Sequence, residues 1–190
     1  MANNNAPFGF SVFGTVNGPV NFSLTDRKIA SNNGTAIFFG DAVIPLNTGY
    51  IAQATASSVP MAGIFLGCRY FSTSQKKQIW NNYWPGSDAT GDVTAFICSD
   101  PTAQFLCQAG SVNLPFAKIG QNCQLNVGTG NTTTGISGMF IDTVGNTSTY
   151  PFTIIDVPNG ATDPDATLAY NWLLVGFNQT SLKAGITSIS

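Results

Sequence analysis

The sequence has no histidine and no glutamate, and charged residues fill only 8% of its 190 positions. An average soluble protein carries about 25%. Without histidine, the commonest general base of nucleophilic triads is missing, and so is the partner that completes a mixed Cys/His zinc site. The basic residues number 7 and are scattered, with pairs only at Arg27-Lys28 and Lys76-Lys77. A formal net charge of -2 and a pI near 4.6 argue against a basic face, so no nucleic-acid partner is expected. No apolar run approaches the roughly 20 residues that span a bilayer. The opening MANNNAPFGF has neither a basic start nor an apolar core of signal-peptide length. Neither membrane insertion nor classical secretion is expected, and the sequons at Asn21, Asn33, Asn131, Asn146 and Asn178 are then chance products of an Asn/Thr-rich chain. Cys68, Cys98, Cys107 and Cys123 form no C-x-x-C pair. Most fall inside apolar runs and read as buried reduced thiols. A Cys98–Cys107 bridge across a hairpin is the alternative. No metal and no cofactor is expected.

What is present is aromatic and turn-rich. The segment Ala62–Gly86, AGIFLGCRYFSTSQKKQIWNNYWPG, holds two of the three tryptophans, Trp80 and Trp84. Its order is that of a wide hairpin: an apolar run to Phe71, a polar loop over Ser72–Lys77, and an aromatic return over Ile79–Trp84 closed by Pro85-Gly86. It is expected to be the packing centre. Strand patterns recur every eight to twelve residues or so: Val20–Ala30, Thr35–Phe39, Ala42–Leu46, Tyr50–Ala54, Asp92–Ser99, Ala103–Ala109, Gln121–Val127, Met139–Val144, Tyr150–Val157 and Leu168–Phe177. Turn residues separate them, and Leu114–Ile119 is the only place for a helical turn, with Pro115 favouring a loop. The expected fold is all-β, an antiparallel barrel or sandwich with long loops. Residues 1–19 are expected as an N-terminal arm and 20–190 as a single domain. Phe8, Phe10 and Phe13 are either anchors for a neighbouring subunit or the core side chains of a first strand.

All nine acidic residues are aspartates, most of them beside Gly, Pro or Ser, where a short carboxylate caps a turn. Asp92, Asp100 and Asp156 border strands, but turn capping explains them better than the paired carboxylates of a glycosidase. Asp163-Pro164-Asp165 lacks the oxygen spacing and the glycine of a calcium loop. Trp80, Tyr83 and Trp84 form a candidate sugar-stacking platform, weighed against core or interface packing. No catalytic constellation is evident, so the chain reads as a binder rather than an enzyme.

Several stretches taken in order resemble a known family. These are MANNNAPFGF with Gly14-Thr15, Ile29-Ala30-Ser31, Ala36-Ile37-Phe38 and Gly40-Asp41-Ala42-Val43. The most specific are Gly63-Ile64-Phe65-Leu66-Gly67-Cys68-Arg69-Tyr70 and Tyr83-Trp84-Pro85. Thr132-Thr133-Thr134-Gly135, Ser137-Gly138, Asn171-Trp172 and Val175-Gly176-Phe177-Asn178 extend the likeness towards the C-terminus. The order resembles capsid decoration (cement) proteins of tailed bacteriophages. That resemblance implies a virion protein without enzymatic activity. It would be made in the host cytoplasm and bound to the outer surface of the capsid, bridging major capsid protein subunits. It also implies a homotrimer over local three-fold points, with a dimer at two-fold points as the alternative. The contact candidates are then Phe8, Phe10, Phe13, Arg69, Trp80, Tyr83 and Trp84. The rival reading is a carbohydrate- or host-receptor-binding domain using Trp80, Tyr83 and Trp84.

Overall fold

The computed structural model describes residues 2–16, 18, 24–56, 59–160, 163–183 and 185. It is all-β, with 45% strand and 2% helix. The strands are β1 Ser11–Thr15, β2 Leu24–Ile29, β3 Ala42–Pro45, β4 Ile51–Gln53, β5 Gly63–Phe71 and β6 Gln78–Asn81. They continue as β7 Val93–Cys98, β8 Ala103–Gln108, β9 Asn122–Asn126, β10 Phe140–Gly145, β11 Phe152–Asp156 and β12 Trp172–Phe177. Among the described residues one 3-10 turn, Phe116–Lys118, follows Pro115. The helical turn does form there, because proline is tolerated ahead of a helical turn, where its missing N–H has no partner to lose.

Two six-stranded antiparallel sheets result, in a sandwich-like arrangement that is not a closed barrel. The first has the order β1-β8-β12-β11-β9-β10. It curls until β10 meets the end of β8, where the Gly110 amide donates to the Ile141 carbonyl at 2.7 Å. The second has the order β2-β7-β5-β3-β4, and β6 pairs with the far half of β5.

Alternation along the strands decides what each face buries. On β8, Ala103, Phe105 and Cys107 point inward, and on β12 Leu173, Val175 and Phe177 do so. With Phe10 and Phe152 they build a chain of rings. Phe10 stacks on Phe152 at 4.5 Å, Phe152 on Phe177 at 5.5 Å, and Phe177 meets Phe105 edge-on at 5.0 Å. The second sheet presents Ala42, Ile64 and Cys98 to this core. Their neighbours Val43, Phe65 and Ile97 face the other way, into a second core with Ile29, Ile37, Tyr70 and Trp84. The Ala62–Gly86 hairpin is therefore the centre of one core only. The larger core belongs to β8, β11 and β12.

One expected strand is described only in part, and two others pair differently. Residues 20–23 of the expected strand Val20–Ala30 lie outside the described residues. Thr35–Phe39 makes only isolated bridges, Ile37 to Trp84 and Phe39 to Ile136. The aromatic return Ile79–Trp84 pairs as β6 only to Asn81. The chain then turns, and Trp84 exchanges backbone hydrogen bonds with Ile37 (2.7 and 3.0 Å) instead of extending the hairpin.

The expected arm is laid on the domain over its described residues. Ser11–Thr15 pairs with β8, and Phe10 is fully buried. Ahead of it, the Asn3 side-chain amide donates to the Asp165 and Ala169 carbonyls at 2.8 and 2.9 Å. Gln108 accepts from the Ala6 amide (2.9 Å) and donates to the Asn4 carbonyl (2.8 Å).

Candidate functional site

The seven contact candidates divide among four environments. Phe10 and Trp84 are core residues, each with no exposed surface. The Trp84 indole lies edge-on to Tyr70, with ring centroids 5.1 Å apart. Its Nε1 donates to the Asn33 carbonyl at 3.1 Å. Their burial takes both off any contact surface. Tyr83 is half-buried, stacked on Phe38 at 5.5 Å.

Arg69 and Trp80 stand together on the second sheet. They are directly paired across β5 and β6. Trp80 is 65% exposed. Its ring stacks on Phe96 of β7 at 5.4 Å, and the Arg69 guanidinium lies over it at 5.1 Å. Phe96 is two strands away, and the residue of β5 paired with it is Gly67. Because Gly67 has no side chain, the indole can reach across to Phe96. This ledge continues the face of the sheet that, further along, carries Ile64 and Cys98 into the first core. Leu24 and Leu66 help line its groove of about 420 Å³.

Phe8 and Phe13 belong to the outer face of the first sheet. Phe8 meets Trp172 edge-on at 6.0 Å. Phe13, 64% exposed, lines a groove of about 300 Å³ with Leu106, Trp172 and Leu174. Asp156 and Asp163 stand at this groove. Each carboxylate accepts a backbone amide of its own turn, Val157 at 2.8 Å and Gly160 at 2.7 Å. Asp156 is exposed and Asp163 half-buried. Neither has the enclosed apolar setting that makes one carboxyl of a glycosidase pair an acid.

Asp88, Asp100 and Asp165 behave as capping residues. Asp88 accepts from Ser72 Oγ (2.7 Å) and the Ser74 amide (2.9 Å), which hold its carboxyl below the usual range. Asp165 accepts from Thr167 Oγ1 (2.6 Å) and is lowered in the same way. Asp100 caps Thr102 at 2.8 Å. Asp41 is different, and its role was not visible in the sequence. It is buried, and its Oδ2 accepts from the Phe38 amide (2.8 Å) and Gln53 Nε2 (2.7 Å). Burial pushes its carboxyl up, against the opposing pull of hydrogen bonds from Phe38, Ser137 and Gln53.

The four cysteines are buried free thiols. Burial pushes Cys68 up to about 12 and raises Cys98, Cys107 and Cys123 as well. Thiols held protonated are poor nucleophiles and poor metal ligands. Among the described residues, no group of three or more His, Cys, Asp or Glu could hold a metal ion. None of the helical segments described is long and apolar enough to cross a membrane.

Fold and surfaces together define an all-β, two-sheet protein with two separate aromatic surfaces. No family model, curated protein or solved structure matches the chain.

Proposed function

We propose that the protein is a structural virion component. It binds the outside of a tailed-phage capsid shell and stabilises it by bridging major capsid protein subunits, without catalysis. The observation that supports this reading best is the outer face of the first sheet. Phe13, Leu106, Trp172 and Leu174 form a shallow apolar groove there, with Asp156 and Asp163 at it and no basic side chain among the described residues that line it. Large aromatic side chains of this kind are typical anchors of protein interfaces. Contact with two or more capsid subunits would bury about 1,000 Å² or more. The protein acts as a homotrimer, with a dimer as the alternative, and sedimentation equilibrium distinguishes them.

The test mixes undecorated capsids with the intact protein and with Phe13→Asp. Because Phe13 is exposed, this variant keeps its fold, which circular dichroism checks. The intact protein is expected to co-sediment with capsids in stoichiometric amount and to raise their heat resistance. Phe13→Asp is expected to lose most of its occupancy. Failure of the intact protein to bind overturns the function, and full occupancy by the variant moves the contact to another face.

A second reading, a carbohydrate- or host-receptor-binding domain, is favoured by the exposure of Trp80. Trp84 is not part of such a platform, since it is buried. Loss of glycan or host-cell binding in Trp80→Ala, with capsid binding intact, would support it.

A further inference from the structure

A cavity of about 290 Å³ lies between the N-terminal segment, the loop after β8, the loop around residue 129 and strand β10. Asn5, Ser111, Thr129, Phe140, Asp142 and Tyr170 contribute to its lining. Two features mark it. First, Asp142 Oδ1 is buried and has no hydrogen-bond partner. No described residue donates to either oxygen of that carboxylate. A buried acceptor left unpaired is costly, and such groups are few in native structures. A Cβ at residue 110 would fall 2.5 Å from Asp142 Oδ1 and 2.8 Å from the Phe140 ring, so the glycine lets both side chains pack close to the backbone here. Second, Tyr170 is held in the left-handed region at φ 61. Its amide donates to the Gly110 carbonyl (3.0 Å), and its own carbonyl accepts from Gln108 Nε2 (3.2 Å). Strained non-glycine residues that the surroundings hold in place cluster at ligand sites.

We propose that this cavity binds a neutral saccharide. Its chemistry selects that class. No lysine or arginine lines it, so an anionic ligand finds no counter-charge. A bare calcium ion takes six to eight oxygen ligands, about 2.3–2.6 Å away, and only one carboxylate is present. The volume holds roughly ten waters at about 30 Å³ each, which is close to the lower bound of ligand pockets. A sugar ring offers hydroxyl donors to the unpaired carboxylate. Asn5, Ser111 and Thr129 exchange further hydrogen bonds with it, and Phe140 and Tyr170 meet its apolar C–H face. The site is separate from the Phe13 groove and from the Trp80 ledge, and it does not depend on the capsid reading.

The test is amide NMR of the full-length protein titrated with glucose, galactose, mannose and N-acetylglucosamine. Arginine and calcium chloride run alongside as competing probes. At least one sugar is expected to give saturable shifts at Gly110, Ser111, Thr129 and Tyr170. Asp142→Asn, nearly isosteric, is expected to weaken that binding about tenfold or more, the effect of losing a charged acceptor. Ser111→Trp, an exposed position at the cavity, is expected to block binding while leaving the melting temperature unchanged. Trp80→Ala is expected to have no effect. Absence of saturable shifts with all four sugars overturns the proposal. So do shifts with arginine or calcium alone, or sugar shifts that neither Asp142→Asn nor Ser111→Trp alters.

Discussion

At the scale of single residues, the two tryptophans of the hairpin should separate cleanly. Trp84→Ala removes a fully buried indole that also hydrogen-bonds the Asn33 carbonyl, and is expected to cost about 3–5 kcal/mol. Trp80→Ala removes an exposed ring held by one stack and one cation–π contact, and is expected to cost about 1–2 kcal/mol. Urea denaturation of the two variants checks the difference. Sequence alone could not separate them: positions 80 and 84 would share a face if the strand ran through both, and the turn after Asn81 depends on Ile37, far away in the chain. Asp41 carries a pH signature. Its carboxyl is raised in the folded state, so the folded protein holds that proton more tightly than the unfolded chain. Stability from this group is full below the unfolded value of 3.8 and is lost as pH rises through the folded value. Asp41→Asn keeps an acceptor for the Phe38 amide and Gln53 but cannot ionise. The stability of wild type minus that of Asp41→Asn is therefore expected to fall as pH rises above 3.8. Asp88 and Asp165, which are lowered, act in the opposite direction in both proteins and cancel in this difference.

At the scale of elements, period-two alternation made most strands legible. On β8 and β12, inward Phe105, Cys107, Leu173 and Val175 alternate with outward Gln104, Leu106 and Leu174. Thr35–Phe39 has the same composition but joins no strand ladder, because composition records burial and not whether a partner strand lies alongside. The arm was the hardest element to read. Phe10 and Phe13 are both phenylalanines near glycine, yet one is core and the other exposed, because residues an odd number of positions apart in an extended segment face opposite ways, and Val12 shares the inward face with Phe10. Gly67 shows how one small residue shapes a surface. Its φ is +137, and a Cβ there would fall 3.0 Å from the Asn81 carbonyl oxygen of β6. Gly67→Ala is expected to destabilise by about 1–2 kcal/mol and to pull Trp80 off Phe96. A red-shifted Trp80 emission in a Trp84- and Trp172-substituted background would report the second effect. The edge strand β2 exposes Asp26, Arg27 and Lys28, a charged border of the kind that discourages sheets from joining edge to edge.

At the scale of the molecule, the second sheet is a wall shared by two cores, since adjacent residues on β3, β5 and β7 face opposite ways. Neither core can open without exposing the other side of that wall. Unfolding is therefore expected to be a single cooperative transition. Phe105→Ala in the larger core and Trp84→Ala in the smaller are expected to lower the same melting temperature, and two separate transitions would refute the coupling. The sparse charge that stood out in the sequence has its effect at this scale too. If the Phe13 face docks on a capsid, ion pairs contribute little, and occupancy is expected to change by less than about tenfold between low and high salt. A steep loss with salt, measured by capsid co-sedimentation, would point to a charged contact instead.

The stitching of Asn3 to Asp165 and Ala169 joins residues 162 and 166 positions apart. During synthesis, residues 3–8 leave the ribosome long before β8, and longer still before the turn that carries Tyr170. They must wait, unplaced, until nearly all the described chain has emerged, so a segment made early is among the last to settle. Until then the groove beside Trp172 lacks the Phe8 contact and the cavity at Asp142 lacks the wall formed by Asn5. The cavity at Asp142 and the Phe8–Trp172 contact are thus completed late in synthesis, although the segment that completes them is made early.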